Sequence, residues 1–240
     1  MTVFAAGAHK RNSQLSPTRL APSGLVETLL SMRLFTYVER CAVSLRMLLQ
    51  NKPELILASS SPRRVELLRG TGIPFQVHAP HINEDQIPGE EALAYAGRLS
   101  REKAQAVAVL YPQGHVLGAD TIVVVDGQVL GKPQDHADAV RMLRQLSGRG
   151  HEVTTAVTLI APDTRKDTRA CTTKVFFREL TEDEIQQYVA GNEPMDKAGA
   201  YAIQGGASRW TARIEGEYSN VVGLPLSLVT EMLRTYGLLK

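Results

Sequence analysis

From residue 55 the apolar and polar positions fall into blocks whose period changes, and those changes predict the elements. Leu55–Ala58 is a short continuous apolar run, the pattern of a buried strand. Three serines and Pro62 follow, and an apolar periodicity of helical spacing then opens over 63–69 and ends near Gly70 and Gly72. Ser61 stands at the N-cap and Pro62 at the first helical position. Phe75–His78 reads as a strand. Leu93, Ala96, Leu99, Ala104 and Val107 predict a long helix over 90–110, stopped before Pro112 and Gly114. Residues 116–125 are strand-rich, with an interruption expected at Gly118-Ala119-Asp120-Thr121. Asp126-Gly127 is a hairpin turn returning through Gln128–Leu130, and Gly131-Lys132-Pro133 ends that strand.

Asp135 caps a helix to Leu146, closed by Ser147-Gly148. Two β-rich segments, 151–160 and 172–179, flank a polar loop with Pro162 and Asp163. Thr181-Glu182-Asp183-Glu184 is a capping box for a helix toward Ala190. A loop with Pro194 and Gly199, a strand over 210–214 and a helix over 226–236 complete the chain. Strands mixed with helices, plus one hairpin, predict an α/β fold on a mixed sheet.

Residues 1–50 read differently. Residues 5–24 are rich in Ala, Ser, Gly and Pro without periodicity, which predicts disorder. Leu25, Leu29, Leu30, Met32, Leu34, Phe35, Val38 and Leu45 could line an amphipathic helix over 25–50. Basic residues (Lys10, Arg11, Arg19, Arg33, Arg40, Arg46) outnumber Glu27 and Glu39, as in a targeting peptide, but no clean secretory pattern is present. The plainer alternatives are an extension of no catalytic use, or a true start at Met47. The expected organisation is an extension over 1–50, largely disordered or a loosely attached helix, and one domain over 51–240.

The 240 residues suffice for one domain or two closely joined lobes. A net charge of +2 gives no general nucleic-acid or membrane signal, so any basic binding surface must be local. Cys41 and Cys171 form neither a metal spacing nor a disulfide framework, which points to a reducing, cytoplasmic compartment. No apolar run reaches the length of a membrane span. Zinc spacings, a Gly-x-Ser-x-Gly elbow, a Walker A loop and a Gly-x-Gly-x-x-Gly loop are all missing from the sequence.

Within this frame a few residues could carry chemistry. Ser59, Ser60 and Ser61 with Arg63 and Arg64, at a helix N-terminus with unpaired N–H groups, make a site suited to phosphate; a helix cap with two solvated arginines is the alternative. Asp120, expected at a strand end facing a cleft, could bind a divalent cation, act as a general base, or be a turn aspartate. Glu84 and Asp85 could join it around Mg²⁺ or Mn²⁺, although a solvated loop suits Asp85 better. Lys103 and Lys132 could neutralise a polyphosphate or simply be solvated. In the glycine-rich stretch from Asp196 to Gly206, Gln204 has the donors and acceptor to read an amide-like base edge.

Five segments occur in order: Leu57-Ala58-Ser59-Ser60-Ser61-Pro62-Arg63-Arg64-Val65-Glu66-Leu67-Leu68, Gly118-Ala119-Asp120-Thr121, Gly131-Lys132-Pro133, Asp196-Lys197-Ala198-Gly199-Ala200-Tyr201-Ala202-Ile203-Gln204-Gly205 and Asn220-Val221-Val222-Gly223-Leu224-Pro225. Together they resemble the Maf family of nucleoside triphosphate pyrophosphatases, from about Leu55 to the C-terminus. The resemblance implies a mixed, twisted β-sheet flanked by helices, with a cleft between two lobes, as in the inosine triphosphatase-like proteins. It implies metal-dependent hydrolysis of a nucleoside triphosphate to the monophosphate and pyrophosphate; that chemistry needs no organic cofactor, and the near-neutral charge argues against a nucleic-acid or membrane partner. A homodimer is implied as well.

By the same resemblance, Asp120 is the proton acceptor, and Glu84, Lys103 and Lys132 are the family's acidic residue and two lysines. Glu84 and Asp120 would hold one Mg²⁺ or Mn²⁺, while Ser59, Ser61 and Arg64 would hold phosphate oxygens. Arg63, Thr121 and Gln204 match the branch that acts on dTTP and UTP; the 7-methyl-GTP branch carries Trp, Gln and Glu there. Ala202 departs from the glycine expected at its position. The alternatives are a pyrophosphatase for a modified purine nucleotide, or a septum or cell-shape regulator acting by protein contacts.

Overall fold

The computed structural model describes residues 55–191 and 193–239. The extension expected over 1–50, with its disorder and its helix, lies outside the described residues. The elements are β1 (Leu55–Ala58), α1 (Pro62–Arg69), β2 (Phe75–His78), α2 (Ala92–Ala108), β3 (His115–Val125), β4 (Gln128–Leu130), α3 (His136–Leu146), β5 (Gly150–Ile160), β6 (Lys166–Phe177) and α4 (Glu182–Ala190). Three short 3₁₀ turns follow between Glu193 and Trp210, then β7 (Thr211–Glu215), α5 (Tyr218–Val222) and α6 (Leu226–Thr235).

These strands form one mixed sheet in the order β2-β1-β3-β5-β6-β7, with β4 paired to β3. β1 lies parallel to both β2 and β3, and the remaining pairings are antiparallel. β1 is buried at all four positions, which is why it reads as an unbroken apolar run. Leu55 and Leu57 pack with Leu117, Leu68 of α1 and Val229, Met232 and Leu233 of α6. Ile56 and Ala58 pack on the other side with Ala104 and Val107 of α2. The long strands continue into a second core, where Val123, Val153 and Val175 meet α3, α4 and the buried Trp210.

The interruption expected at 118–121 does not exist. β3 pairs with β5 without a break from Val116 opposite Ile160 to Val124 opposite Glu152. Gly118 is small for a different reason: a Cβ there would lie 2.4 Å from the Ser100 carbonyl oxygen and 2.7 Å from the Ala104 nitrogen. Glycine lets α2 seat directly on the strand. A hydrogen bond of 2.8 Å between the Ser100 and Thr158 hydroxyls ties the same helix to β5.

Three further boundaries differ from the sequence reading. β6 starts at Lys166 rather than 172, because its first half pairs with β5 while leaving its side chains exposed or half-buried, without an apolar alternation to announce it. Trp210 closes a 3₁₀ turn rather than opening a strand, and the short α5 was not expected. Ser61 does occupy the N-cap of α1, but its side chain makes no cap bond; instead its N–H donates to Ser59 Oγ at 3.1 Å. The Asp135 cap and the Thr181/Glu184 capping box form as expected. Among the described residues no helix is long and apolar enough to cross a membrane.

Candidate active site

Gly118 and Asp120 are two residues apart on β3 and so project to the same face, the one that α2 covers. The close seat at Gly118 brings Lys103 of α2 to Asp120, Nζ to Oδ1 at 2.6 Å, with both side chains buried. The same ammonium reaches Glu84 Oε1 at 2.8 Å, and Lys132 reaches Glu84 Oε2 at 3.0 Å. Four charged residues from four separate segments thus form one alternating chain, Asp120–Lys103–Glu84–Lys132. Asp120 therefore sits in mid-strand and not at a strand end. Its second oxygen, Oδ2, accepts no hydrogen bond from the described residues.

The loop carrying Glu84 is held from α2: the Tyr95 hydroxyl donates to the Glu84 carbonyl at 2.7 Å, and Arg98 to the Asp85 carbonyl at 2.9 Å. Partial burial pushes the Glu84 carboxyl up, but Lys103 and Lys132 outweigh it and hold the group at about 2. The Asp85 side chain is exposed and stands outside the ion-pair chain.

At the turn after β1, Ser59 is buried and Arg63 forms no hydrogen bond or ion pair among the described residues. Arg64 is used differently. Its Nε donates to the Gly223 carbonyl at 2.7 Å, Nη1 to the Ala119 carbonyl at 2.8 Å and Nη2 to Thr121 Oγ1 at 2.9 Å. Burial lowers the guanidinium from its ordinary value, against the attraction of Asp120. The side chain clamps α1 to the peptide preceding Asp120 and to the segment after α5. Thr121 Oγ1 is bonded in turn to Thr155 Oγ1 at 2.9 Å. Fully buried Asn220 anchors α5 by donating to the Val153 carbonyl at 2.9 Å and to Thr173 Oγ1 at 3.0 Å.

These groups open on one cleft of about 1000 Å³, which Arg63, Glu84, Lys103, Asp120, Lys132 and Gln204 all line. The Maf-like protein family model matches residues 54–236. The chain belongs to the Maf family. It is 54% identical to a dTTP/UTP pyrophosphatase of Koribacter versatilis over 185 residues, covering 77% of this chain and 95% of the relative. A dTTP/UTP pyrophosphatase of Geobacter metallireducens is 53% identical over 188 residues, covering 77% and 97% respectively. Among solved structures, a Staphylococcus aureus Ham1 protein is similar at 14% identity and a TM-score of 0.46, covering 76% of this chain and 98% of that one.

In this Maf chain the exposed Gln204 lies on a tight turn, 202–206, and makes no hydrogen bond among the described residues. Two residues absent from the sequence reading support that turn, Tyr188 on α4 and Glu193 just after it. The glycine pair Gly205-Gly206 beside a cleft was the available signal, since adjacent glycines mark close approach by another group. For a metal, the described Maf residues offer no cluster of three or more His, Cys, Asp or Glu side chains. A hard cation fits Asp120, because Mg²⁺ usually takes one or two carboxylates and completes its shell with water and substrate phosphate; Glu84, whose two oxygens each accept from a lysine, would join it by exchanging a lysine for the metal. Asp120 Oδ2, with no protein donor on it, is the available oxygen.

Proposed function

We propose that this chain hydrolyses dTTP and UTP to the monophosphate and pyrophosphate. The observation that carries the reading is the Asp120–Lys103–Glu84–Lys132 chain lining the same cleft as Gln204. The two relatives named dTTP/UTP pyrophosphatase support the substrate class. In this reading water attacks the α-phosphorus, the bond to the bridging oxygen breaks, and pyrophosphate leaves. Asp120 orients the water and accepts its proton, while Lys103 fixes the carboxylate through Oδ1. Lys103 and Lys132 offset the triphosphate charge, and Arg63, the unpaired cation after the serine turn, meets phosphate oxygens. Asp120 and Glu84 would hold one Mg²⁺ or Mn²⁺, whose charge neutralises phosphate oxygens.

Gln204 presents an amide to the base. Uracil and thymine share an O4 acceptor and an N3–H donor, which one amide can pair, whereas cytosine reverses that pattern. The reading also takes the enzyme to work in the cytoplasm and as a homodimer. Pyrophosphate release from dTTP, UTP, CTP, GTP and 7-methyl-GTP, with Mg²⁺ or Mn²⁺ and after chelation, tests it. Turnover of dTTP and UTP that is lost on chelation is expected. Preferential turnover of a purine nucleotide, or release of orthophosphate alone, would overturn it.

A further inference from the structure

Gln204 is exposed on a turn, so its side chain can discriminate between bases only if the backbone beneath it is fixed. The turn is closed by the Gly205 N–H donating to the Ala202 carbonyl at 3.0 Å, and two side chains pin it on either side of Gln204. On one side the Ala202 N–H donates to the Tyr188 hydroxyl at 3.0 Å. On the other, the Gly206 N–H donates to the Glu193 carboxylate, at 3.1 Å to Oε1 and 3.4 Å to Oε2. The pins are joined, because the Tyr188 hydroxyl donates to Glu193 Oε1 at 2.8 Å. The carboxylate lies so close to the turn that a Cβ on Gly205 would fall 1.9 Å from Oε1.

The pair is itself held in place. Tyr188 is buried, its ring set edge-on to fully buried Trp210 with centroids 4.8 Å apart. Burial raises the phenol pKa further above its usual value, so at neutral pH the hydroxyl carries the proton it needs to donate to Glu193. Both of its hydrogen-bonding roles are thereby filled. Trp210, Tyr188 and Glu193 form a line from the core to the two backbone N–H groups that bracket Gln204.

We infer that Tyr188 and Glu193 are the positioning residues for base selection: they touch no substrate, and they set where the Gln204 amide stands. This deepens the dTTP/UTP reading and rests on it. A merely structural pair would, on removal, lower turnover of every nucleotide alike. A positioning pair acts selectively, on the nucleotides that Gln204 recognises and through KM more than kcat.

The test is kcat/KM for dTTP and CTP, by pyrophosphate release, in the parent chain and in Tyr188→Phe, Glu193→Gln, Glu193→Ala, Gln204→Ala and Tyr188→Phe/Gln204→Ala. Misplacing one buried or interfacial hydrogen bond predicts a roughly tenfold fall in the dTTP-to-CTP ratio for Tyr188→Phe, carried by KM. Glu193→Gln keeps an acceptor oxygen and should retain more of the ratio than Glu193→Ala. The double variant should lose no more discrimination than Gln204→Ala alone, because both substitutions remove one function. Equal losses on both nucleotides, an unchanged ratio, or additive losses in the double variant would each overturn the inference. If Tyr188→Phe melts below the assay temperature, the Glu193 variants decide by the same ratio. A parent chain with no preference for dTTP over CTP would instead sink the dTTP/UTP reading, a result separable from failure of the positioning pair.

Discussion

The cleft joins two groups of residues that are built in opposite ways. Asp120, Lys103, Glu84 and Lys132 are held by charge: two of their three contacts are made by Lys103 of a long helix, and Asp120 is fixed within an eleven-residue strand. Gln204 is neutral, sits on a tight turn among 3₁₀ segments, and is positioned indirectly through neutral backbone donors. The charged group needs distant segments brought together, so it depends on the register of α2 against β3. The proposed recognition group needs a backbone shape, so it depends on a buried aromatic cluster of Tyr188, Trp210, Phe177, Tyr201 and His151. Damage to the first should remove turnover of every substrate, and damage to the second should blur which substrate is used.

The sharpest separation comes from Asp120→Asn. The amide keeps the shape but cannot accept the proton, and loss of a general base costs about 10²–10⁴-fold in rate. The same factor is expected for dTTP and CTP, with the melting temperature largely kept. Turnover within tenfold of the parent would take Asp120 out of the mechanism.

pH divides the two groups. His151 donates to or accepts from the Tyr201 hydroxyl at 2.8 Å, and burial lowers its pKa from 6.5 to about 4. Between those values the unfolded chain binds a proton that the folded chain refuses, so stability falls as pH drops from 6.5 toward 4 and is level below that. The shift corresponds to roughly 3 kcal/mol. Glu84 behaves separately: its depressed pKa gives a contribution present above 4.5 and lost as pH falls from 4.5 toward about 2. Urea unfolding at pH 7 and pH 4.5 should show the first loss in the parent and a smaller one in His151→Gln. Equal losses in both proteins would show that His151 is not the group responsible.

Gly118→Ala strikes the charged group through packing alone. The new methyl would meet backbone atoms of Ser100 and Ala104, which cannot swing aside, so α2 must lift from β3. Overpacking of this kind costs about 1–3 kcal/mol, and it should also part Lys103 from Asp120. A lower melting temperature, with kcat reduced equally for dTTP and CTP, is expected. A change in the dTTP-to-CTP ratio would mean that α2 also governs the recognition group.

How much of this was legible follows the same division. Most strands and helices with buried positions announced themselves, β1 by its apolar run, α2 by its periodicity and α4 by its capping box, while the five-residue α5 is too short to show a period. The first half of β6 exposes or half-buries every side chain and gave no such signal. Asp120, Glu84, Lys103, Lys132 and Gln204 could be named from motifs, and the structure brings all five to one cleft. Their mutual contacts could not be read, because the pairing of Lys103 with Asp120 depends on how a helix sits on a strand. Gly118 suggested a break, since a glycine that ends a strand and one that admits a helix look alike in a sequence. Arg64 resembles a free phosphate ligand until its three protein acceptors are seen. Tyr188 and Glu193 hydrogen-bond other residues' backbone atoms, for which side-chain identity carries no local signature.

The smallest effect is expected from removing residues 1–46, so that the chain begins at Met47, and it tests whether both groups are complete without that segment. The family match begins at residue 54, and the Koribacter versatilis relative is 95% covered by a match to 77% of this chain. All five motifs lie between Leu57 and Pro225, so neither the ion-pair chain nor the Gln204 turn draws a residue from the removed part. Segments rich in Ser, Pro and Ala before a first core strand are seldom tied to a core. Kinetics on dTTP and CTP together with melting curves should therefore agree for the full and shortened chains. The outcome to watch for comes from the apolar positions Leu25 to Leu45. A drop of several degrees, or insolubility of the shortened chain, would show that they pack on the folded protein. A change in kcat alone would tie them to the charged group, and a change in the dTTP-to-CTP ratio to the recognition group.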